Sequence, residues 1–228
     1  ARLRFLDVHA ALVRERDDLY TEYVTLLNLS GNYPAAEAAL ASRRFHPWEG
    51  GEGKVSGQYV RTKVALACEA ITRKDFAGAV SLLRAALEYP PNLGEGKLYG
   101  AQENDVYYWL GEALCKQGDT RGAGAAWRHA SAGLSEPAPA IYYNDQPPES
   151  IFYQGLALRR LGSDAEARSR FERLVAYGQK HIDDTATLDF FAVSLPDLTV
   201  FEADLDARNR VHCHYRTGLG LLGLGRQA

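Results

Sequence analysis

The sequence predicts an all-α protein, a solenoid of antiparallel helix pairs with long loops between them, and three observations carry that prediction. Apolar residues recur at helical spacing over helix-length segments, while strand signals are scarce. Four segments share one order of helix, short turn and second helix: Tyr20–Arg43, Leu66–Leu87, Tyr107–Ala130 and Ile151–Leu174. Their turns fall at residues 31, 74, 118 and 162, so the pattern advances by 43, 44 and 44 residues. Repetition at a fixed period marks units that bury their apolar faces only by stacking on one another.

The first repeat presents Tyr20, Leu27, Gly31-Asn32-Tyr33, Ala36 and Leu40, and the second Leu66-Ala67, Lys74-Asp75-Phe76, Ala79, Leu83 and Ala86. The third presents Leu110-Gly111, Ala113-Leu114, Gly118-Asp119, Ala123, Trp127 and Ala130. In the fourth stand Gly155, Ala157-Leu158, Gly162-Ser163, Ala167, Phe171 and Leu174. Small residues (Gly111, Gly155, Ala123, Ala167) allow close helix approach, and Trp127 and Phe171 fill the space one turn away. A glycine at the turn supplies the left-handed conformation that ends the first helix. This is the tetratricopeptide pattern, lengthened: the usual step is about 34 residues, so each repeat carries roughly ten more before the next begins.

The repeats are placed near residues 17–43, 58–88, 104–133 and 149–178, followed by a terminal helical segment, 187–225, in one cooperative domain. Within that segment a helix is expected from about Leu198 to Leu205, with Ser194 or Pro196 near its start. A half-repeat follows over His212–Leu224, stopping at Gly225. The absence of an initiating methionine points to a fragment of a longer protein.

A net charge of −3 and a pI near 6.1 argue against a broad surface for nucleic acid or anionic lipid. No apolar run approaches the ~18 residues of a membrane span, and no secretory signal opens the chain. Cys68, Cys115 and Cys213 sit apart in helical patterns and are expected to be free buried thiols in a reducing, cytoplasmic compartment.

The extra residues also repeat. Gly51-Glu52-Gly53-Lys54 and Gly94-Glu95-Gly96-Lys97 are 43 residues apart, in step with the array, whereas the third insertion reads Tyr142-Tyr143-Asn144-Asp145-Gln146-Pro147-Pro148. Stacking would line these loops along one edge. That edge carries the candidate binding residues: His46, Trp48, Glu49, Glu52, Lys54, Glu95, Lys97, Gln102, Glu103, Asn104, Asp105, Tyr142, Tyr143, Asn144 and Asp145. Aromatic platforms with carboxylates suit a sugar or a peptide. The competing reading is architectural, with glycines making turns and Glu, Asn, Asp and Gln bonding loop backbone.

FHPWEGGEGK (Phe45–Lys54), NLGEGK (Asn92–Lys97), AQEND (Ala101–Asp105), YYNDQPP (Tyr142–Pro148), IFYQGLAL (Ile151–Leu158) and FAVSLPDL (Phe191–Leu198) resemble one family of large bacterial proteins of unassigned function. Its members carry a β-sandwich related to galactose mutarotases, followed by a C-terminal tetratricopeptide array. The resemblance runs from about Phe45 to Gly225. It implies a C-terminal part of a longer protein linked to carbohydrate handling, and it supplies no catalytic residues.

Other signals are discounted. GEGK lacks the spacing and the following Ser/Thr of a phosphate loop, and Gly218–Gly223 (GLGLLG) matches a dinucleotide fingerprint without strand or βαβ context, so helix packing explains it. His212 and His214 point to different helix faces and cannot chelate together, while His181, Asp183 and Asp184 suit a helix end. Among Glu49, Glu52, Glu95, Glu103, Asp105 and Asp145 nothing selects a glycosidase pair. The expectation is a non-catalytic interaction or scaffolding module without cofactor or metal, holding a protein partner or another domain of its parent chain. The alternative is a loop edge that binds carbohydrate directly or completes a glycan-processing site.

Overall fold

The computed structural model describes residues 1–97, 100–139, 145–186 and 204–226. Among the described residues there are eleven α-helices and no strand, in the arrangement of a tetratricopeptide-like α-solenoid. The helices are α1 (Arg2–Val8), α2 (Ala10–Glu15), α3 (Asp17–Leu29), α4 (Tyr33–Ala41), α5 (Lys54–Thr72) and α6 (Phe76–Ala86). They continue as α7 (Asn104–Gln117), α8 (Thr120–Ser131), α9 (Pro148–Arg160), α10 (Asp164–His181) and α11 (Leu205–Leu224), with a 3₁₀ turn at Pro91–Leu93. The chain divides into two compact units. One comprises Ala1–Ala101 and Glu112–Gly118, the other Gln102–Gly111 and Asp119–Ala228.

All four predicted turns adopt the same conformation. Gly31, Gly118 and Gly162 have φ of 77°, 90° and 81°, and Lys74, at the equivalent position of the second repeat, has φ of 64°. The next residue, Asn32, Asp75, Asp119 or Ser163, is the N-cap of the second helix of each pair. Asp75 accepts from the Gly78 amide at 2.9 Å and Asp119 from that of Gly122 at 2.8 Å, each satisfying an amide that has no partner inside its helix.

Nine residues beyond each turn lies a large side chain, and seven residues before it a partner of matched size. The pairs are Val24 with Leu40, Ala67 with Leu83, Gly111 with Trp127 and Gly155 with Phe171. Where the second helix carries a ring, the first carries no side chain: a Cβ on Gly111 would overlap the Trp127 indole, and one on Gly155 the Phe171 ring. Ala36, Ala79, Ala123 and Ala167, five residues past each turn, are completely buried. In the first unit this packing extends through Val24, Leu27, Ala36, Leu40, Phe45, Val55 and Leu93. In the second, Leu158, Ala167 and Phe171 form the centre.

Helix α11 closes on α10 by the same device. A Cβ on Gly223 would strike the Phe171 ring, and one on Gly220 the Phe171 carbonyl and Val175. Gly178 on α10 receives Thr217 and the Cys213 backbone. The GLGLLG run is thus helix-packing sequence, and Gly225 ends α11 with φ of 68°.

Two results depart from the sequence reading. Cys115 is exposed, because the last turn of α7 beyond Leu114 faces outward; Cys68 is half-buried and Cys213 buried. Helices α1 and α2, each under two turns, bury Leu6 and Val13 and leave Phe5, Val8 and Leu12 exposed. The helix expected over Leu198–Leu205 lies outside the described residues except at its end, where α11 begins. Among the described residues no helix is long and apolar enough to cross a membrane.

Two stability measurements check this packing. Gly155→Ala is expected to cost about 1–3 kcal/mol by overpacking, and adding Phe171→Leu, which recreates the Ala67–Leu83 pair, should recover part of that loss in denaturant melts. Lys74→Gly removes the cost of a left-handed non-glycine residue and should raise stability by about 1 kcal/mol.

Candidate functional site

The inter-repeat loops face an accounting problem. Each leaves the last carbonyls of a helix and a stretch of irregular backbone to be hydrogen-bonded without a ladder. In the first unit Asn92 does much of this: its amide donates to the Leu40 and Arg43 carbonyls at 2.9 and 3.0 Å, and its own carbonyl accepts from the Phe45 amide at 2.7 Å. Gly94, at φ 74°, lies so close to the Phe45 carbonyl that a Cβ could not fit. Glu95 then reaches the start of α5. Its carboxylate accepts from the Gly53 amide at 3.1 Å, the Ser56 amide at 3.4 Å and the Ser56 hydroxyl at 2.6 Å. The second GEGK tetrad therefore supplies the cap that Gly53, lacking a side chain, cannot provide for the helix of the first.

The rest of the loop set in this unit is placed as follows. His46 is exposed and bonds Asp17 through its amide at 2.8 Å and its ring Nδ1 at 3.2 Å. Trp48 is partly buried against the first core, with its indole over Gly51. Glu49, Glu52 and Lys54 are exposed, and the Lys97 ammonium donates to the Leu87 carbonyl at 3.0 Å.

In the second unit, side chains bond the described backbone after α8 at several points. Asn104, buried, donates to the Ala130 and Ala132 carbonyls at 2.8 Å each. Gln154 donates to Ala132 and Leu134, and Gln146 to Leu134 and to the Gln102 side-chain oxygen. Arg173 reaches Ser135, and Arg216 reaches the Ala138 carbonyl. Glu103 and Asp145 are half-buried. Tyr142, Tyr143 and Asn144 lie outside the described residues.

Asp105 is the member of the set whose surroundings do not favour its charge. Burial in the first turn of α7 pushes its carboxyl above the usual carboxylate range, and the nearby charges of Glu149 and Glu103 add to the effect. Asp105 and Glu149 hold equivalent positions in consecutive repeats, and each precedes an aromatic residue by one helical turn: Trp109 on α7 and Tyr153 on α9. The Trp109 indole nitrogen donates to the Tyr153 hydroxyl at 3.3 Å. Tyr108 packs beside both, with ring centroids 5.3 Å from Trp109 and 5.5 Å from Tyr153. Glu149 accepts from the Tyr215 hydroxyl at 2.6 Å. The result is a half-buried aromatic ledge with a row of carboxylates one turn away. Sequence reasoning missed Trp109 and Tyr153 because both lie inside regular helix patterns. The signal that could have found them is the acid–aromatic spacing, repeated after 44 residues.

A cleft of about 250 Å³ lies between α4 and α5, bordered by Glu37, Tyr59, Lys63 and Asn92. Its polar groups are already engaged. Lys63 pairs with Glu37 at 2.6 Å, the Tyr59 hydroxyl bonds the Ala85 carbonyl, and Asn92 bonds loop backbone. Among the described residues no three His, Cys, Asp or Glu side chains form a group able to hold a metal. Asn104→Ala should cost about 1–3 kcal/mol, because buried carbonyls lose their partner, and Glu95→Ala about 0.5–2 kcal/mol, the worth of a helix cap; Glu52→Ala, at an exposed residue, should change the melting midpoint little.

One comparison bears on the repeats. The family profile described as tetratricopeptide repeat matches residues 149–177, which cover α9 and most of α10. No solved structure matches the chain.

Proposed function

We propose that this chain is a non-catalytic protein-interaction module whose contact surface includes the Trp109–Tyr153 ledge and the carboxylates Asp105 and Glu149. The observation that carries the reading is the unfavourable placement of Asp105. Like charges crowd a carboxyl that burial already disfavours, and perturbed groups of this kind concentrate where a protein meets a ligand. A cation delivered beside the ring faces would relieve the repulsion and gain cation–π contact. The partner is therefore a protein segment presenting Lys or Arg. On the family resemblance, that segment belongs to another domain of the parent chain. The tetratricopeptide match supports interaction or scaffolding as the general role.

Binding of the full chain to Lys/Arg-containing peptides, compared with Gln-substituted counterparts, tests this reading. Trp109→Ala or Tyr153→Ala should weaken basic-peptide binding about tenfold, the worth of one good aromatic contact. Equal affinity for the basic and Gln peptides would sink the proposal. Asp105→Asn should weaken binding while stabilising the chain. Because the folded-state carboxyl lies above its ordinary value, Asp105 loses stability as pH rises through that raised value. The Asn variant should accordingly melt higher at pH 7, with the advantage disappearing near pH 4.

A further inference from the structure

Among the described residues the largest fully buried side chain is a cation: Arg216, in the middle of α11, is 1% exposed. Its Nη2 donates to the Ala138 carbonyl, and its guanidinium carbon sits 4.4 Å from the centre of the Tyr177 ring. Its Nε and Nη1 carry no hydrogen bond, and no carboxylate among the described residues forms an ion pair with it. One turn earlier on the same helix face, His212 also has a buried nitrogen, Nε2, without a partner. Glu149 accepts from the Tyr215 hydroxyl, and its charge reaches Arg216 from a distance, without a hydrogen bond between them.

An arginine cannot discharge itself by losing a proton, and a buried guanidinium with no hydrogen-bonded carboxylate and two unsatisfied nitrogens is costly. Among the described residues of the neighbouring loop, it is a neutral carbonyl, that of Ala138, that accepts from it. We propose that Arg216, with His212 beside it and Tyr177 beneath it, is the anchor of a binding site for the carboxylate of a small organic acid. The charge balance selects a monoanion. Burial and the adjacent Arg216 and Arg208 charges lower the His212 pKa to about 4, so His212 is neutral at physiological pH and Arg216 is, among the described residues, the one cation there with free donors. The burial selects a small ligand. Entry replaces the Ala138 carbonyl on Nη2 by a charged acceptor, which makes the stronger hydrogen bond and leaves its second oxygen for an adjacent guanidinium nitrogen.

The test is thermal melting of the full chain at pH 7 in sodium acetate against sodium chloride at equal ionic strength. Saturating acetate should raise the midpoint by roughly 2–4 °C, and Arg216→Met should abolish the response while melting no lower than wild type in chloride. Should that variant fail to fold, Arg216→Lys keeps the charge but loses the planar donor edge, and its acetate response should be markedly smaller. Equal wild-type midpoints in acetate and chloride would overturn the proposal. So would an undiminished response in the lysine variant, or a larger response to phosphate than to acetate.

Discussion

Each helix pair depends on one close crossing, where the size of a side chain on the second helix is matched by what is missing from the first. Gly111 faces Trp127 and Gly155 faces Phe171 with no room for a single added carbon. Ala67 with Leu83 and Val24 with Leu40 hold the same positions with more evenly divided volume. Interiors are packed as densely as organic crystals, so a crossing of this kind admits few combinations. It also fixes the register of both helices, which in turn sets where the turn must reverse the chain. The left-handed residue at each turn and the capping Asp75 and Asp119 follow from that register. A conformation costly enough to favour glycine is retained at Lys74 because the crossing on either side of it demands the reversal there.

The long loops impose a second constraint. Ordering roughly ten extra residues per repeat opposes folding by about 1–2 kcal/mol each in backbone entropy. A loop that contributed no contacts would remain mobile. Instead the loops are tied by amide and carboxylate side chains that bond successive carbonyls and amides: Asn92 and Glu95 in the first unit, and Asn104, Gln146 and Gln154 in the second. Much of what resembles a polar recognition surface in the sequence is thereby committed to the protein's own backbone. The exposed acids Glu49 and Glu52, by contrast, remain outside these networks.

The repeats were legible because their signals are local and recur: a turn residue, a cap and a size-matched pair at constant offsets. The packing role of GLGLLG was legible because its small residues fall within a helical pattern and the sequence before it shows no βαβ context. Helices α1 and α2 escaped because segments of seven and six residues are too short to establish a period. The exposure of Cys115 was invisible because a helical pattern does not reveal where a neighbour stops covering a helix. The burial of Arg216 ran against residue type, as lone buried guanidinium groups are rare. Glu95 was visible as a loop acid, but its partner 39 to 42 residues earlier was not, since spacing alone does not tell which loop lies against which helix. The pairing of Trp109 with Tyr153 combines both difficulties: the offset is in the sequence, while the contact belongs to the stacking of α7 on α9.

The reach of Glu95 has a consequence for what counts as one module. By its helices, the second repeat ends with α6 at Ala86. By its bonds it does not, because the residues that cap α5 and close the loop after α4 come from Asn92 and Glu95, downstream of that helix. A segment cut at the end of α6 would leave α5 uncapped and the carbonyls after α4 open, although every helix of both pairs was present. The natural cut lies beyond Glu95, so the piece that can be copied, deleted or transplanted as a whole is a helix pair together with the loop that follows it.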